Sequence, residues 1–205
     1  MFGRRRSPAS AGSNNAQEER WLVVGLGNPG PRYAATRHNI GFAIVELLAQ
    51  RLGGRFKAHR GRCDVVETQL SGRPVVLVKP KSYMNESGGP IVAILRFYKI
   101  PIHRLIVVHD DLDLPLGTLR LKRGGGDGGH NGLRSAVAAL GSRDFFRVRF
   151  GIGRPPGQRD PADYVLREFT AAERKELPYL IDHAADAVEA LLAKGLDVAQ
   201  NEFND

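Results

Sequence analysis

A chain of 205 residues, 42% apolar and 25% charged, is long enough to bury one sizeable core and has the make-up of an ordinary globular domain. It has no run of about 18 apolar residues to argue for a membrane span, and its single cysteine, Cys63, excludes a disulfide framework and a cysteine-built zinc site. The net charge of +8 points to an anionic partner, and the near absence of cysteine suits a reducing, cytoplasmic setting.

Residues 1–20 are rich in Ser, Ala, Asn and Arg without periodicity and are expected to form a disordered tail; residues 21–205 are expected to form one domain. No apolar segment follows the tail's arginines, so it does not read as a secretory signal, and Glu18 and Glu19 count against a transit peptide. Trp21–Leu26 reads as a strand. In GFAIVELLAQRLGG, Phe42, Val45, Leu48 and Leu52 recur at helical spacing before a glycine stop. DVVETQL and PVVLVKP flank SGR as a hairpin, with Cys63 expected as a half-buried strand residue. SGGPIVAILRFYKI predicts a helix with a serine cap, an early proline and a face of Ile91, Ile94, Leu95 and Tyr98. RLIVVHDD predicts a buried strand ending in acid, GTLRLKRG a half-exposed strand, NGLRSAVAALG a short helix and FRVRFGIG another strand. The last long helix opens with the capping box Thr170/Glu173 and carries the stripe Leu177, Leu180, Ile181, Ala184, Val188 and Leu191; Pro178 is expected to kink or split it. Strands and helices alternate, which predicts a single α/β domain.

The charge is uneven. The tail supplies +2, from four arginines and two glutamates. Between Gly117 and Arg154, eight basic residues (Arg120, Lys122, Arg123, Arg134, Arg143, Arg147, Arg149 and Arg154) face only Asp127 and Asp144, which accounts for the other +6. Such a segment reads as a polyanion surface or as a solvated basic face.

GLGNPG, residues 25–30, has the spelling of a dinucleotide-binding turn. That turn requires a helix to start at its glycines, because the helix N-terminus carries the pyrophosphate. Here Pro29 and Pro31 make a rigid turn instead, and the acid about 20 residues on, Glu46, falls inside a helix. Gly124–Gly129 fits the same spelling equally without support. What remains is a strand end that presents one polar side chain, Asn28.

Ligands of open α/β sheets sit beyond the carboxyl ends of strands. Four predicted loops there gather Asn28, Tyr33, Arg37, His38 and Asn39; Tyr83, Met84 and Asn85; His109, Asp110, Asp111 and Asp113; and the glycine run with His130 and Asn131. A histidine oriented by a carboxylate is a general base. No serine or cysteine stands beside it as nucleophile, so water is the expected attacking group. Asparagines can orient water, donate to an oxyanion and bind peptide amides, and free N–H groups at 124–129 can hold phosphate. Taken singly, His109 also reads as a core histidine, and Asn85 and Asn131 as helix caps. HDDLD leaves a Mg²⁺ or Mn²⁺ phosphodiesterase as an alternative, although the other loops offer Asn where further carboxylates would be needed.

The segments VGLGNPGPRYAATRHNIGF, KPKSYMNESG, VVHDDLDLPLGTLRLKRGGGDGGHNGL and FFRVRFGIGRP, in this order, resemble the bacterial-type peptidyl-tRNA hydrolases. The resemblance runs from about Leu22 to the C-terminus. It implies a monomeric, single-domain enzyme with a mixed, twisted β-sheet packed between α-helices, with no cofactor and no metal. It also implies cleavage of the ester between a peptide and the 3′-terminal ribose of tRNA. Carried onto this chain, His38 is the base, Asp110 stabilises its basic form, and Asn28 helps to distinguish blocked from free aminoacyl-tRNA. Tyr33, Tyr83, Met84, Asn85 and Asn131 match substrate-contact positions; Lys122 and Arg149 match positions that hold tRNA phosphates. The chain departs from the pattern in residues 1–20, which lie outside the family core. It departs also in Tyr83, where relatives often carry Phe, and in Asp127, which puts a negative charge in the glycine loop. A non-catalytic RNA-binding scaffold is the alternative from another class; retention of His38, Asp110 and the three Asn argues against it.

Overall fold

The computed structural model describes residues 19–204, so the expected tail lies almost wholly outside the described residues. Arg20, assigned to that tail from composition, packs over the Tyr98 ring at 5.3 Å.

Among the described residues seven strands form one sheet: β1 (Trp21–Gly25), β2 (Lys57–His59), β3 (Cys63–Leu70), β4 (Arg73–Pro80), β5 (Leu105–Asp111), β6 (Leu119–Arg123) and β7 (Phe146–Gly151). Their order is β2-β3-β4-β1-β5-β7-β6. The central four, β4-β1-β5-β7, are parallel; β3 and β2 at one edge and β6 at the other are antiparallel. The helices are α1 (Ile40–Arg51), α2 (Gly88–Tyr98), α3 (Asn131–Leu140), α4 (Pro161–Val165), α5 (Ala171–Lys194) and α6 (Leu196–Phe203). The expected mixed α/β fold is therefore present.

Alternation along the central strands divides the core in two, because successive side chains leave a strand on opposite faces. Leu22 and Val24 of β1, with Leu105 and Val107 of β5, pack with α2 and α3. Val23, Ile106 and Val108 point the other way, against α1 and α5. The predicted helical faces are buried in their central parts: Ile91, Ile94, Leu95 and Tyr98 on one side of the sheet, and Val45, Leu48, Ala184, Val188 and Leu191 on the other; Leu177, Leu180 and Ile181 are half-buried, and Leu52, expected on the face of α1, lies just past its end and is exposed. Helix α1 lies unusually close to the sheet. A Cβ on Gly25 would meet the Gly41 carbonyl oxygen at 2.2 Å, and one on Gly41 the Val108 carbonyl oxygen at 2.4 Å. Two glycines thus let the turn before α1 sit directly beyond the ends of β1 and β5.

Three local expectations are corrected. Ser87 does not cap α2: its hydroxyl donates back to Met84 O, and the first helical N–H, that of Gly88, donates instead to Ser135 Oγ of α3. Pro178 does not split α5, which runs unbroken from the Thr170/Glu173 capping box; the proline lies on the exposed side, so the hydrogen bond it forgoes is lost next to water. Cys63 is fully buried, and burial pushes its thiol up to about 12, leaving it unreactive. The hairpin turn is as expected, with Ser71 and Gly72 both at positive φ, 52° and 74°, between β3 and β4.

Candidate active site

His38 sits in a single 3-10 turn, Arg37–Asn39, between the Gly-Pro loop and α1. Its neighbours hold that turn from both sides. Arg37 is buried; its backbone N–H donates to Arg167 O, and its guanidinium donates to Arg167 O, Glu168 O and Glu173 Oε2 while lying over the Tyr164 ring at 4.3 Å. The turn is thereby pinned to the α4–α5 junction. Asn39 brackets residue 28: its Nδ2 donates to Asn28 O, and its Oδ1 accepts from Asn28 N, both at 2.9 Å. The loop that resembles a dinucleotide turn is thus tied to the turn that carries His38, and α1 begins only at Ile40.

Asp110, buried near the end of β5, lies between two imidazoles. Its Oδ2 is 2.9 Å from His38 Nδ1, and its Oδ1 is 2.8 Å from His130 Nε2. The tautomers follow from the surroundings. His130 is the N-cap of α3, and its Nδ1 accepts from the backbone N–H groups of Gly132 (3.1 Å) and Leu133 (3.3 Å). Nδ1 therefore carries no proton, and Nε2–H donates to Asp110. A carboxylate with one oxygen so engaged takes Nδ1–H of His38 on the other, which leaves His38 Nε2 with a lone pair. Burial alone would favour the neutral acid, but the two imidazoles outweigh it and hold the Asp110 carboxyl well below the usual carboxylate range.

His38, Asp110 and His130 line a cavity of about 390 Å³ together with Asn131, Lys122, Arg149 and the glycine loop. A second cavity of about 240 Å³ is lined by Asn28, Asn39, Phe42 and the ion-paired Glu46 and Lys79. Among the described residues no side chain of Asn28, Asn85 or Asn131 bonds His38 or Asp110, although Asn131 lines the same cavity as both. Asn28 Oδ1 accepts from Met84 N at 2.7 Å, which orients its Nδ2 as the remaining donor. Asn131 is the first residue of α3 and Asn85 lies in the 3-10 turn Met84–Glu86; both are exposed, and neither caps a helix. Met84 is buried beside α3, so its backbone N–H, not its thioether, meets the site. Tyr33 and Tyr83 stand edge to face with ring centres 6.4 Å apart, and Tyr83 is largely exposed. His130 was gathered at the rim from sequence, but its role as the second partner of Asp110 was not. Histidine is not a residue favoured at N-caps, so only its adjacency to Asn131 in the predicted loop signalled it.

The basic segment is thinner than its count of charges. Arg147 is buried and donates to the carbonyls of Gly125 and Gly126, shaping the glycine loop from below. Arg123 pairs with Asp144, Arg154 with Asp113, and Arg149 Nε with Asp111 at 2.8 Å. Lys122 has no acidic partner within 4.0 Å among the described residues. Burial first, then the neighbouring Arg149 and Arg147, push its ammonium down, a strain that a bound anion would relieve. Beside it, the N–H groups of Gly125, Gly126, Asp127 and Gly128 have no acceptor among the described residues. Asp127 turns its carboxylate back onto Gly129 N and lies 3.6 Å from Arg134. Its charge is spent within the loop.

His38, Asp110 and His130 also form a compact group of metal-ligand types, with donor atoms within 4.8 Å of one another. Their chemistry does not suit a cation, because His130 Nε2 bears the proton that its Nδ1 contacts require there. Asp111 and Asp113 are engaged by separate arginines, so HDDLD presents no carboxylate cluster.

His109 sits behind this group. Its Nδ1–H donates to Asp110 O, while its Nε2 is buried without a partner. Burial, and then His130 beside it, push the imidazole down to about 3. A histidine that stays neutral when folded but titrates near 6.5 when unfolded contributes stability that is complete above that value and is lost as the pH falls toward 3. His109→Phe should therefore flatten the acid-side slope of unfolding free energy by up to about 1.4 kcal/mol per pH unit between those limits. Urea titrations at stepped pH measure this, and an unchanged slope would place a proton on His109 in the folded state.

A model of the peptidyl-tRNA hydrolase family matches residues 22–205. The chain is 64% identical over 184 residues to a protein of Frankia casuarinae named peptidyl-tRNA hydrolase, covering 90% of this chain and 93% of that one. To the Streptomyces coelicolor protein of the same name it is 56% identical over 190 residues, covering 90% and 94%. The crystal structure of peptidyl-tRNA hydrolase from Acinetobacter baumannii superposes with a TM-score of 0.85 at 39% identity, covering 91% of this chain and 95% of that one. Extent of match and fold agree, and the chain belongs to the peptidyl-tRNA hydrolase family.

Proposed function

We propose that the chain hydrolyses the ester joining a peptide to the 3′-terminal ribose of tRNA, with His38 as general base. The observation that carries this reading is Asp110 bonded to two imidazoles in opposite tautomers, beside a cationic cavity wall. His38 Nε2 takes a proton from water as the water oxygen attacks the ester carbonyl, and the carbonyl electron pair moves onto its oxygen. Asp110 stabilises the imidazolium that forms. When the tetrahedral intermediate collapses, the bond to the ribose oxygen breaks and that oxygen takes the proton from His38. Asn131 and Asn85, uncommitted to caps, are free to donate to the oxyanion or the peptide. Tyr33 and Tyr83 offer an aromatic wall, and Lys122, Arg149 and the open N–H groups of the glycine loop receive phosphates near the 3′ end. The same reading takes the enzyme as a cytoplasmic monomer; no helix among the described residues is long and apolar enough to cross a membrane. The purified chain should release N-acetylamino acid from N-acetylaminoacyl-tRNA in the presence of EDTA. Absence of release, or release from a short ester that returns only with Mg²⁺ or Mn²⁺, would contradict it.

Asn28 gives the reading its selectivity. The enzyme must spare aminoacyl-tRNA, whose free amino group is largely protonated near neutral pH. Because Met84 N fixes Asn28 Oδ1, the group left to face a ligand is a neutral donor, which suits a peptide carbonyl and gives an ammonium no compensating charge. Asn28→Asp keeps the bond to Met84 and replaces that donor by a carboxylate oxygen. The ratio of kcat/KM for blocked over free aminoacyl-tRNA should fall by about tenfold, the worth of one charge-assisted contact. An unchanged ratio in an active variant would reduce Asn28 to a role in the turn.

A further inference from the structure

The stretch Arg55–Arg62 carries Arg55, Lys57, Arg60 and Arg62 with no acid. Acids elsewhere balance it in the count of charges, but not in space. Among the described residues, no carboxylate lies within 4.0 Å of Arg55, Lys57 or Arg60, and Arg62 reaches only Glu86, at 3.9 Å. These cations occupy β2 and the segments on either side of it, at the opposite edge of the sheet from β6 and six strand spacings away, about 29 Å. Beside them the end of α2 presents Phe97, 46% exposed. The ring is braced: His59 meets it edge-on with centres 4.5 Å apart, Tyr98 packs at 4.9 Å, and Arg60 lies 5.1 Å from its centre. Gly61 N donates to His59 Nδ1, which fixes that imidazole in turn. Lys57 shares the strand face of His59, two residues before it, and the exposed side chains of Arg96 in α2 and Lys99 just past its end flank Phe97 in sequence.

A braced, exposed aromatic ring ringed by uncompensated cations matches how single-stranded nucleic acid is held, with bases stacked on the ring and phosphates on the cations. We infer that the β2 edge is a second RNA-contact surface, separate from the cavity, which takes single-stranded RNA through Phe97, Arg60 and Lys57. It goes beyond the hydrolytic reading: the cavity grips the substrate's 3′ end on the β6–β7 side, while this edge meets RNA on the other.

The test is binding of a labelled oligouridylate of about 15 nucleotides at several salt concentrations, alongside hydrolysis of peptidyl-tRNA and of a short ester. Phe97→Leu should weaken oligouridylate binding about tenfold, and Phe97→Tyr should preserve it, because stacking needs a ring and not mere bulk. Lys57→Ala with Arg60→Ala should reduce the slope of log affinity against log salt by about 1.4, two phosphates' worth. Short-ester turnover should stay at the parent level in both. Lys122→Ala with Arg149→Ala, by contrast, should weaken peptidyl-tRNA binding and leave oligouridylate binding in place. The inference is overturned if the edge variants bind oligouridylate as the parent does, or if the cavity variant alone abolishes that binding. It is also overturned if the edge variants only gain self-association, which would make the cations guards of an open strand edge. Failure of the hydrolytic reading is a separate result, with no turnover in the parent chain.

Discussion

Asp110→Asn should lower kcat/KM on peptidyl-tRNA by about 10²–10⁴-fold, the range associated with a general base, while the fold survives. The carboxylate accepts from two imidazole N–H groups at once, 2.9 Å and 2.8 Å away. An amide of the same shape has one oxygen and one NH₂. His130 cannot change tautomer without surrendering the Gly132 and Leu133 N–H groups, so it claims the amide oxygen. The NH₂ then faces His38 Nδ1, turns it into an acceptor and moves the proton to Nε2, where the lone pair was needed. The loss should fall on kcat with KM little changed, since Asp110 is 2% exposed and has both oxygens engaged by imidazoles. A variant that kept parental kcat would show that Asp110 does not set the state of His38. Removal of the carboxylate should also cut acid sensitivity. A carboxyl held below its unfolded value near 3.9 adds stability at higher pH, and that stability is lost as the pH falls through the folded value.

His38→Ala should be at least as damaging, about 10²-fold or more on hydrolysis, with deacylated tRNA still bound. The imidazole is the group proposed to move the proton, and among the described residues no other side chain of the cavity is placed to replace it: His130 has both nitrogens committed, and His109 is closed off behind it. Lys122, Arg149 and the glycine loop, the groups proposed to hold phosphates, lie on other elements and do not bond His38. Binding and chemistry should therefore separate cleanly. Parental release of peptide by the variant would remove His38 as the base, and loss of tRNA binding along with activity would make it a binding group.

Much of this was legible in the sequence because it rests on local rules. Apolar runs bounded by turn residues placed β1, β4, β5 and β7, and the Thr170/Glu173 box placed α5. Strand β2 was not legible: three residues, two of them charged or titratable, carry no alternation. Helix α4 had a signal that was not used, Asp160 as cap with Pro161 at the first position. His38 and Asp110 could be named from loop positions and family resemblance, but the tautomers depend on contacts 72 and 20 residues apart in the chain. The basic segment misled for a related reason. Charge counting cannot see that Arg147 folds inward onto two glycine carbonyls, or that among the described residues Arg55, Lys57 and Arg60 have no acid within 4.0 Å while Arg62 reaches only Glu86. The hold of Met84 and Asn39 on Asn28, which fixes the donor it presents, likewise rests on contacts 56 and 11 residues apart in the chain.

The central claim is that one buried carboxylate holds two histidines in opposite tautomers and so leaves His38 Nε2 free to act as base. Nitrogen NMR of the imidazole rings in ¹⁵N-histidine-labelled protein, at a pH where both rings are neutral, reads this directly. His38 should show a protonated Nδ1 and an unprotonated Nε2, His130 the reverse, and Asp110→Asn should switch His38 alone. The same tautomer on both rings, or a proton on Nε2 of His38 in the parent protein, would contradict the account.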